Sequence, residues 1–152
     1  MISIQTLEAH DIETLRNLLQ LLGTVFGDLE TYTARQPDDA YLQRWLANPN
    51  HMALAAFSEE KIVGGLVAYE LQKFEQARSE IYIYDLAVDE NHRRQGVATG
   101  LISALQKLAV QRQAYVIFVQ ADTSEEDAPA IALYTKLGQR EDVLHFDIPV
   151  PS

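Results

Sequence analysis

The sequence has no cysteine. That excludes a disulfide framework, thiolate metal sites and a cysteine nucleophile, and makes the cytoplasm the expected compartment. Positive charge is scarce: 12 Lys+Arg stand against 22 Asp+Glu, a formal net charge of −10. Neutralising phosphates is the main source of nucleic-acid affinity, so no nucleic-acid partner is expected. No apolar run approaches the length of a membrane span, and no basic-then-apolar leader opens the chain, so no membrane partner is expected either. Repeats, low-complexity tracts and linkers are missing too. The 152 residues, 47% hydrophobic and 22% charged, therefore read as one soluble domain over residues 1–152 with its own core.

What is present has a mixed α/β order. Residues 2–7 alternate as a strand does, and Ile12, Leu15, Leu18, Leu19, Leu22 and Phe26 recur at helical spacing up to Gly27. A polar loop is expected through Pro37. Asp38 then caps a helix carrying Tyr41, Leu42, Trp45 and Leu46, stopped by Asn48-Pro49. Residues 52–57 and 62–71 suit a hairpin about the turn 58–61, and residues 80–88 a third strand of this group. Beyond a helix that opens near Gly96, residues 114–120 read as a strand. Asp127-Ala128-Pro129 starts another helix, with Gly138 as its C′ residue, and residues 143–148 read as a last strand. The fold class is α/β (mixed α+β), with a right-handed crossover expected between strands 80–88 and 114–120.

One short stretch breaks the acidic pattern. HRRQGVATG, residues 92–100, carries Arg93, Arg94 and two glycines between a strand and an amphipathic helix. A helix N-terminus has unpartnered amides and the positive end of the dipole. Gly96 lets the backbone approach an anion closely, and Arg93 and Arg94 can reach phosphate oxygens. The bland alternative is a loop glycine among solvated arginines. Neither G-x-G-x-x-G nor G-x-x-x-x-G-K-[ST] is present, which sets aside dinucleotide and P-loop sites.

Arg93-x-x-Gly96-x-Ala98 resembles the R/Q-x-x-G-x-G/A pyrophosphate loop of the Gcn5-related N-acetyltransferase (GNAT) superfamily. A second segment, DAPAIALYTKLGQ, sets Ala130, Leu133-Tyr134 and Gly138 in register with the superfamily's later helix. Asp127 stands where Asn is usual there, and Gln139 where Phe is usual. FGDLETYTARQPDDAYL, AYELQKFEQARSEIYIYDLAV, AYVIFVQAD and HFDIP extend the likeness to the aminoglycoside 3-N-acetyltransferases of the gentamicin-modifying type. The resemblance implies the acyl-CoA N-acyltransferase fold, a central mixed, mostly antiparallel sheet flanked by helices. It further implies acetyl-CoA as cosubstrate without a metal, and a cationic aminoglycoside acetylated at its 3-amino group, with antibiotic resistance as the result. A homodimer is the implied assembly.

Acetyl transfer to an amine requires a neutral nucleophile, a polarised thioester carbonyl and a proton for the departing thiolate. Asp85, inside the otherwise apolar IYIYDLAV, is the candidate base; a carboxylate there is costly unless partnered, so a structural aspartate is the competing reading. The resemblance gives Tyr134 the role of general acid, against that of a packed core tyrosine. It gives the main chain of Leu86, Ala87 and Val88 to the pantetheine arm, and Arg93, Arg94, Gln95, Gly96, Val97, Ala98 and Thr99 to the pyrophosphate. Candidate carboxylates for the acceptor are Glu30, Asp85, Asp122, Glu125, Glu126, Asp127 and Asp147; four of these cluster in one loop after a strand. Tyr32 and Tyr84 are candidates to contact sugar rings. A solvated acidic loop and core tyrosines are the ordinary alternatives.

Two other functions fit the same features. A carboxylate-lined cleft suits a polyamine or a basic protein or peptide amine as well as a drug. A catalytically idle module that only binds coenzyme A would keep the loop, but the presence of both Asp85 and Tyr134 counts against it.

Overall fold

The apolar runs pair into a five-stranded sheet of order β1-β2-β3-β4-β5, formed by Ile2–Thr6, His51–Ser58, Lys61–Gln72, Ser79–Val88 and Ala114–Val119. The first four strands pair antiparallel with their sequence neighbours, whereas β4 and β5 run parallel. A parallel pair needs a crossover, and the helix Val97–Gln111 supplies it. This is the mixed, mostly antiparallel sheet expected. The computed structural model describes all of Met1–Ser152. Its chain divides into two compact units, Met1–Val119 and Gln120–Ser152.

In the first unit, α1 (Ile12–Phe26) buries Leu15, Leu18 and Leu22 against the sheet. Burying each leucine contributes roughly 1.5–3 kcal/mol, so packing fixes this helix more than its N-cap, Asp11, whose side chain makes no capping bond. Two shorter helices follow, α2 (Leu29–Thr33) and α3 (Asp39–Ala47). Leu42 and Leu46 of α3 join the same core as Ala53, Ala55, Val67 and Ala87 of the sheet. A Cβ added at Gly65 would collide with Leu18 Cδ1, so the close approach of α1 to β3 depends on glycine there. The other face of the sheet is covered by α4 (Val97–Gln111), which buries Val97, Leu101, Ile102, Leu105 and Ala109.

In the second unit, a 3₁₀ turn (Glu125–Asp127) leads into α5 (Ala128–Leu137), with proline in the first turn. No helix of the chain is long and apolar enough to cross a membrane.

Three local expectations fail for identifiable reasons. The polar loop after Gly27 contains α2, a five-residue helix too short to show periodicity but capped by Asp28, whose side chain accepts from the Thr31 amide. Gly138 has φ −144 and ψ −164, extended backbone rather than the left-handed C′ conformation, so α5 ends without needing glycine. Residues 143–148 form no strand; Phe146 is 76% and Ile148 86% exposed. Their alternation is strand-like, but a strand exists only through a paired neighbour.

Candidate active site

The site begins with a change of phase in β4. Ile83 pairs with Ala68 and Asp85 with Val67, which leaves Tyr84 as an extra residue: a β-bulge. Before it, Tyr82 opposes Tyr69 on the α1 side of the sheet while Ile81 and Ile83 turn toward α4. After it, Ala87 lies in the α1-side core and Val88 opposes Gly64, whose added Cβ would meet Val97 of α4. The bulge therefore moves Asp85 onto the face that already holds Tyr82 and Tyr84. Without it, strict alternation would turn the carboxylate into the α4 core.

On that face Asp85 is half-buried, and Tyr32 of α2 donates its hydroxyl to Asp85 Oδ2 at 2.9 Å. Desolvation raises the Asp85 pKa above the ordinary aspartate value, and the Tyr32 hydrogen bond pulls the other way. Tyr32 itself is driven well above the usual tyrosine range, first by burial and then by the bond and charge of Asp85. A desolvated carboxylate with one occupied oxygen is a better proton acceptor near neutral pH than a solvated one.

A row of aromatic rings borders the carboxylate. Tyr84, 58% exposed, meets Tyr69 edge-on at 5.6 Å and Tyr82 at 6.0 Å. Tyr82 stacks on Phe118 of β5 at 4.8 Å, and Tyr69 continues the row to His51 and Trp45. Electron-rich ring faces beside a carboxylate favour a cation. Tyr69, Tyr82 and Phe118 were not among the residues picked from sequence.

Beside the bulge the sheet opens. β5 accompanies β4 only as far as the pair Ile83↔Val119, while β3 runs on beside it to Gly64↔Val88. From Tyr84 to Val88, which includes Leu86 and Ala87, one edge of β4 has no neighbouring strand. Its main-chain donors and acceptors can take an extended ligand as they would another strand.

The open edge leads into the glycine loop. Asp89 donates its amide to Val63 O at 2.7 Å, and its carboxylate lies 2.9 Å from His92 Nδ1, which closes the turn Glu90–His92. Arg93, Arg94 and Gln95 are exposed, and Arg94 (φ +62) and Gly96 (φ +79) are both left-handed. A Cβ at Gly96 would meet nothing within 4 Å, so glycine is there for its backbone angle, not for space. Gly100 N donates to Gly96 O at 2.9 Å, closing the first turn of α4. The amides of Val97, Ala98 and Thr99 therefore precede any helical acceptor. No side chain caps them and no acidic residue lies in the first turn. This is a seat for an anion.

In the second unit, Tyr134 of α5 is half-buried, and its pKa is raised first by desolvation and then by the charge of Asp127. It stays protonated at neutral pH, as a proton donor must. Asp127 Oδ2 accepts from the Asp122 amide at 2.7 Å, and Asp122 Oδ1 from the Ser124 amide at 3.2 Å. These two carboxylates thus shape their own loop, while Glu125 and Glu126 stand in solvent. Asp147 lies 2.8 Å from His145 Nε2, both exposed, and Glu30 pairs with Arg35 at 3.6 Å on the surface. Of the acceptor candidates, then, the structure gathers Asp85, Tyr32 and Tyr84 in one place. Tyr32 points its hydroxyl at Asp85, although a sugar contact was expected of it.

The model of the Acetyltransferase (GNAT) family matches residues 14–139. Among solved structures, the chain is 56% identical to the aminoglycoside acetyltransferase HMB0005 from an uncultured soil metagenomic sample, with a TM-score of 0.98 over 99% of both chains. It is 33% identical to the aminoglycoside acetyltransferase meta-AAC0020, also from an uncultured soil metagenomic sample and solved in complex with sisomicin. The TM-score there is 0.88, covering 99% of this chain and 97% of the other. A shorter likeness, 35% identity over 83 residues, is to human N-acetyltransferase 8B; it spans 55% of this chain and 36% of the human protein.

Proposed function

The chain belongs to the GNAT family of acetyltransferases, a family that uses acetyl-CoA, and from this premise we propose that it acetylates aminoglycosides, at the 3-amino group of the central aminocyclitol ring. The observation that carries the reading is Asp85: a half-buried carboxylate of raised pKa, set by a bulge beside a row of aromatic rings at the start of an open strand edge. The full-length likeness to two aminoglycoside acetyltransferases, one holding sisomicin, supports the choice of acceptor. So does the formal charge of −10, which attracts a polycation from a distance.

Each residue has a task in this reading. The amides of residues 97–99, with Arg93, Arg94, Gln95 and the left-handed turn at Gly96, hold the cofactor's pyrophosphate. The open main chain of Leu86, Ala87 and Val88 binds the pantetheine arm as an added strand. The acetyl thioester supplies the electrophile. Asp85 takes a proton from the acceptor's ammonium, the neutral amine attacks the carbonyl, and the Tyr134 hydroxyl protonates the departing thiolate. Tyr84 and the carboxylates of Glu30, Glu125, Glu126 and Asp147 are the remaining acceptor contacts, and Asp122 and Asp127 order their own loop.

The family match crosses the boundary between the two units, which supports one acetyltransferase domain over the whole chain. A homodimer is part of the proposal, since the apolar side chains of residues 143–148 are too exposed for a chain that works alone. The setting is the cytoplasm, where acetyl-CoA is made, and the consequence is drug resistance.

The test is thiol release on mixing the protein with acetyl-CoA and sisomicin, gentamicin, spermidine or a basic peptide in turn, followed by NMR of the product. Release with the two drugs and a 3-N-acetyl product is expected. Release only with spermidine or the peptide overturns the choice of acceptor, and acetylation at another amine overturns the position. Coenzyme A binding without thiol release from any amine leaves an idle module.

A further inference from the structure

The hydroxyl of Tyr32 meets Asp85 across a separation of 53 residues, and the protein builds that meeting from several sides. Gly27, left-handed at φ +65, turns the chain out of α1, and Asp28 caps α2. A Cβ at Gly23 of α1 would come within 3.1 Å of Tyr32 Cβ and 3.2 Å of Leu29 Cδ2, so glycine makes the seat on which α2 rests. The Tyr32 ring tilts against Phe26 at 5.8 Å, and its carbonyl accepts from Gln36 Nε2 at 3.2 Å. A short helix held this closely fixes where the phenol points.

We propose that Tyr32 is the positioning residue of Asp85: it pins Oδ2 with a hydrogen bond, so that Oδ1 is the oxygen that receives the proton of the acceptor amine. The inference rests on the reading of Asp85 as the base. In the step itself an N–H bond of the ammonium breaks, its electron pair stays on nitrogen, and an O–H bond forms at Oδ1. Asp85 passes from carboxylate to carboxylic acid while Tyr32 keeps its own proton. The raised pKa of Tyr32 agrees with this, because the phenol remains a donor over the whole working pH range.

Two variants separate the inference from the reading beneath it. Asp85→Asn tests the base: full turnover with sisomicin in that variant removes Asp85 from the chemistry and the inference with it. Given a dead Asp85→Asn, Tyr32→Phe tests the positioning. Loss of a bond that lowers the Asp85 pKa should move the acid limb of the kcat/KM profile to higher pH, with turnover lost at the pH values the limb then covers. The alkaline plateau should fall as well, because an unpinned carboxylate no longer holds Oδ1 toward the amine. An acid limb that does not move overturns the inference, whether or not the plateau falls. Carbon-13 NMR of the Asp85 carboxyl gives the same answer without turnover: its titration should rise in Tyr32→Phe, and an unshifted resonance overturns the proposal.

Discussion

Replacing Gly96 by alanine isolates one physical quantity at the anion seat. The added methyl meets nothing within 4 Å, so no clash accompanies the change; the only penalty is the left-handed angle of φ +79. For an L-residue that penalty is about 1–2 kcal/mol. Gly27 offers an internal control, since it is left-handed at φ +65, equally free of neighbours, and caps α1 instead of the loop. The cost should surface differently in the two variants. At Gly27 the angle is demanded by the fold, so Gly27→Ala should lower Tm by about 2–8 °C, at roughly 2–4 °C per kcal/mol for a chain of this size. Gly96 lies in an exposed loop, where alanine can relax out of the left-handed region and turn its neighbouring amides away. Binding must then restore the geometry, which weakens coenzyme A by roughly five- to thirtyfold at 1.4 kcal/mol per tenfold. Calorimetric titration of coenzyme A and thermal unfolding of both variants read the two quantities. Unchanged affinity in Gly96→Ala refutes the argument. Equal weakening in Gly27→Ala refutes it too, because loosening anywhere would then suffice.

The remaining predictions concern charge. Asp85→Asn should lower kcat by about a hundredfold or more while coenzyme A still binds; turnover within a few fold of the parent counts against the base. The same variant carries a stability signature. Because the folded pKa of Asp85 is raised, its burial as a carboxylate costs stability above that pKa, and the cost fades as pH falls toward the unfolded value. Asp85→Asn should therefore melt higher than the parent at neutral pH, by a margin that shrinks in acid; a constant margin refutes the linkage. Arg112 Nη1 bonds Glu70 Oε1 at 2.7 Å, and the Glu70 side chain is only 8% exposed. The Arg112 side chain is 32% exposed, so Arg112→Met strands one buried acceptor and should cost roughly 1–3 kcal/mol in urea unfolding, and Glu70→Leu in the same chain should restore much of it. Raising the salt concentration should raise the KM for sisomicin, since both steering and contact with a polycation are screened; a flat response denies the acidic surface a role.

Much of the fold was legible because local chemistry and tertiary packing agree. The spacing of Leu15, Leu18 and Leu22 gave α1, and Asp38 gave the start of α3. The orientation of Asp85 was also written in the sequence, in a form easy to miss. In SEIYIYDLAV the apolar residues facing α4 are odd-numbered at Ile81 and Ile83, then even-numbered at Val88, and such a phase slip is what a bulge leaves behind. The partner of Asp85 was not legible. Tyr32 sits in a helix of five residues, and its position opposite β4 depends on the seat at Gly23, which no periodicity records. Tyr69, Tyr82 and Phe118 looked like strand core, because only the pairing register places them in one half-buried row. Residues 143–148 carry a strand's alternation without naming the strand they would join.

The charge pattern poses a conflict that the loop resolves. A chain of formal charge −10 repels an anionic nucleotide at long range while attracting a polycation. Long-range fields fade over a Debye length of about 8 Å at physiological ionic strength, so the repulsion governs encounter more than contact. At contact the seat need only be free of negative charge and rich in donors. The first turn of α4 meets both conditions, with no acidic residue and three unpartnered amides beside Arg93 and Arg94. Amides suit this task better than further lysines would, because they donate to phosphate without cancelling the acidic field that draws in the second substrate. On the proposed reading, net charge recruits the cation and oriented backbone dipoles hold the anion, so two ligands of opposite charge need not compete.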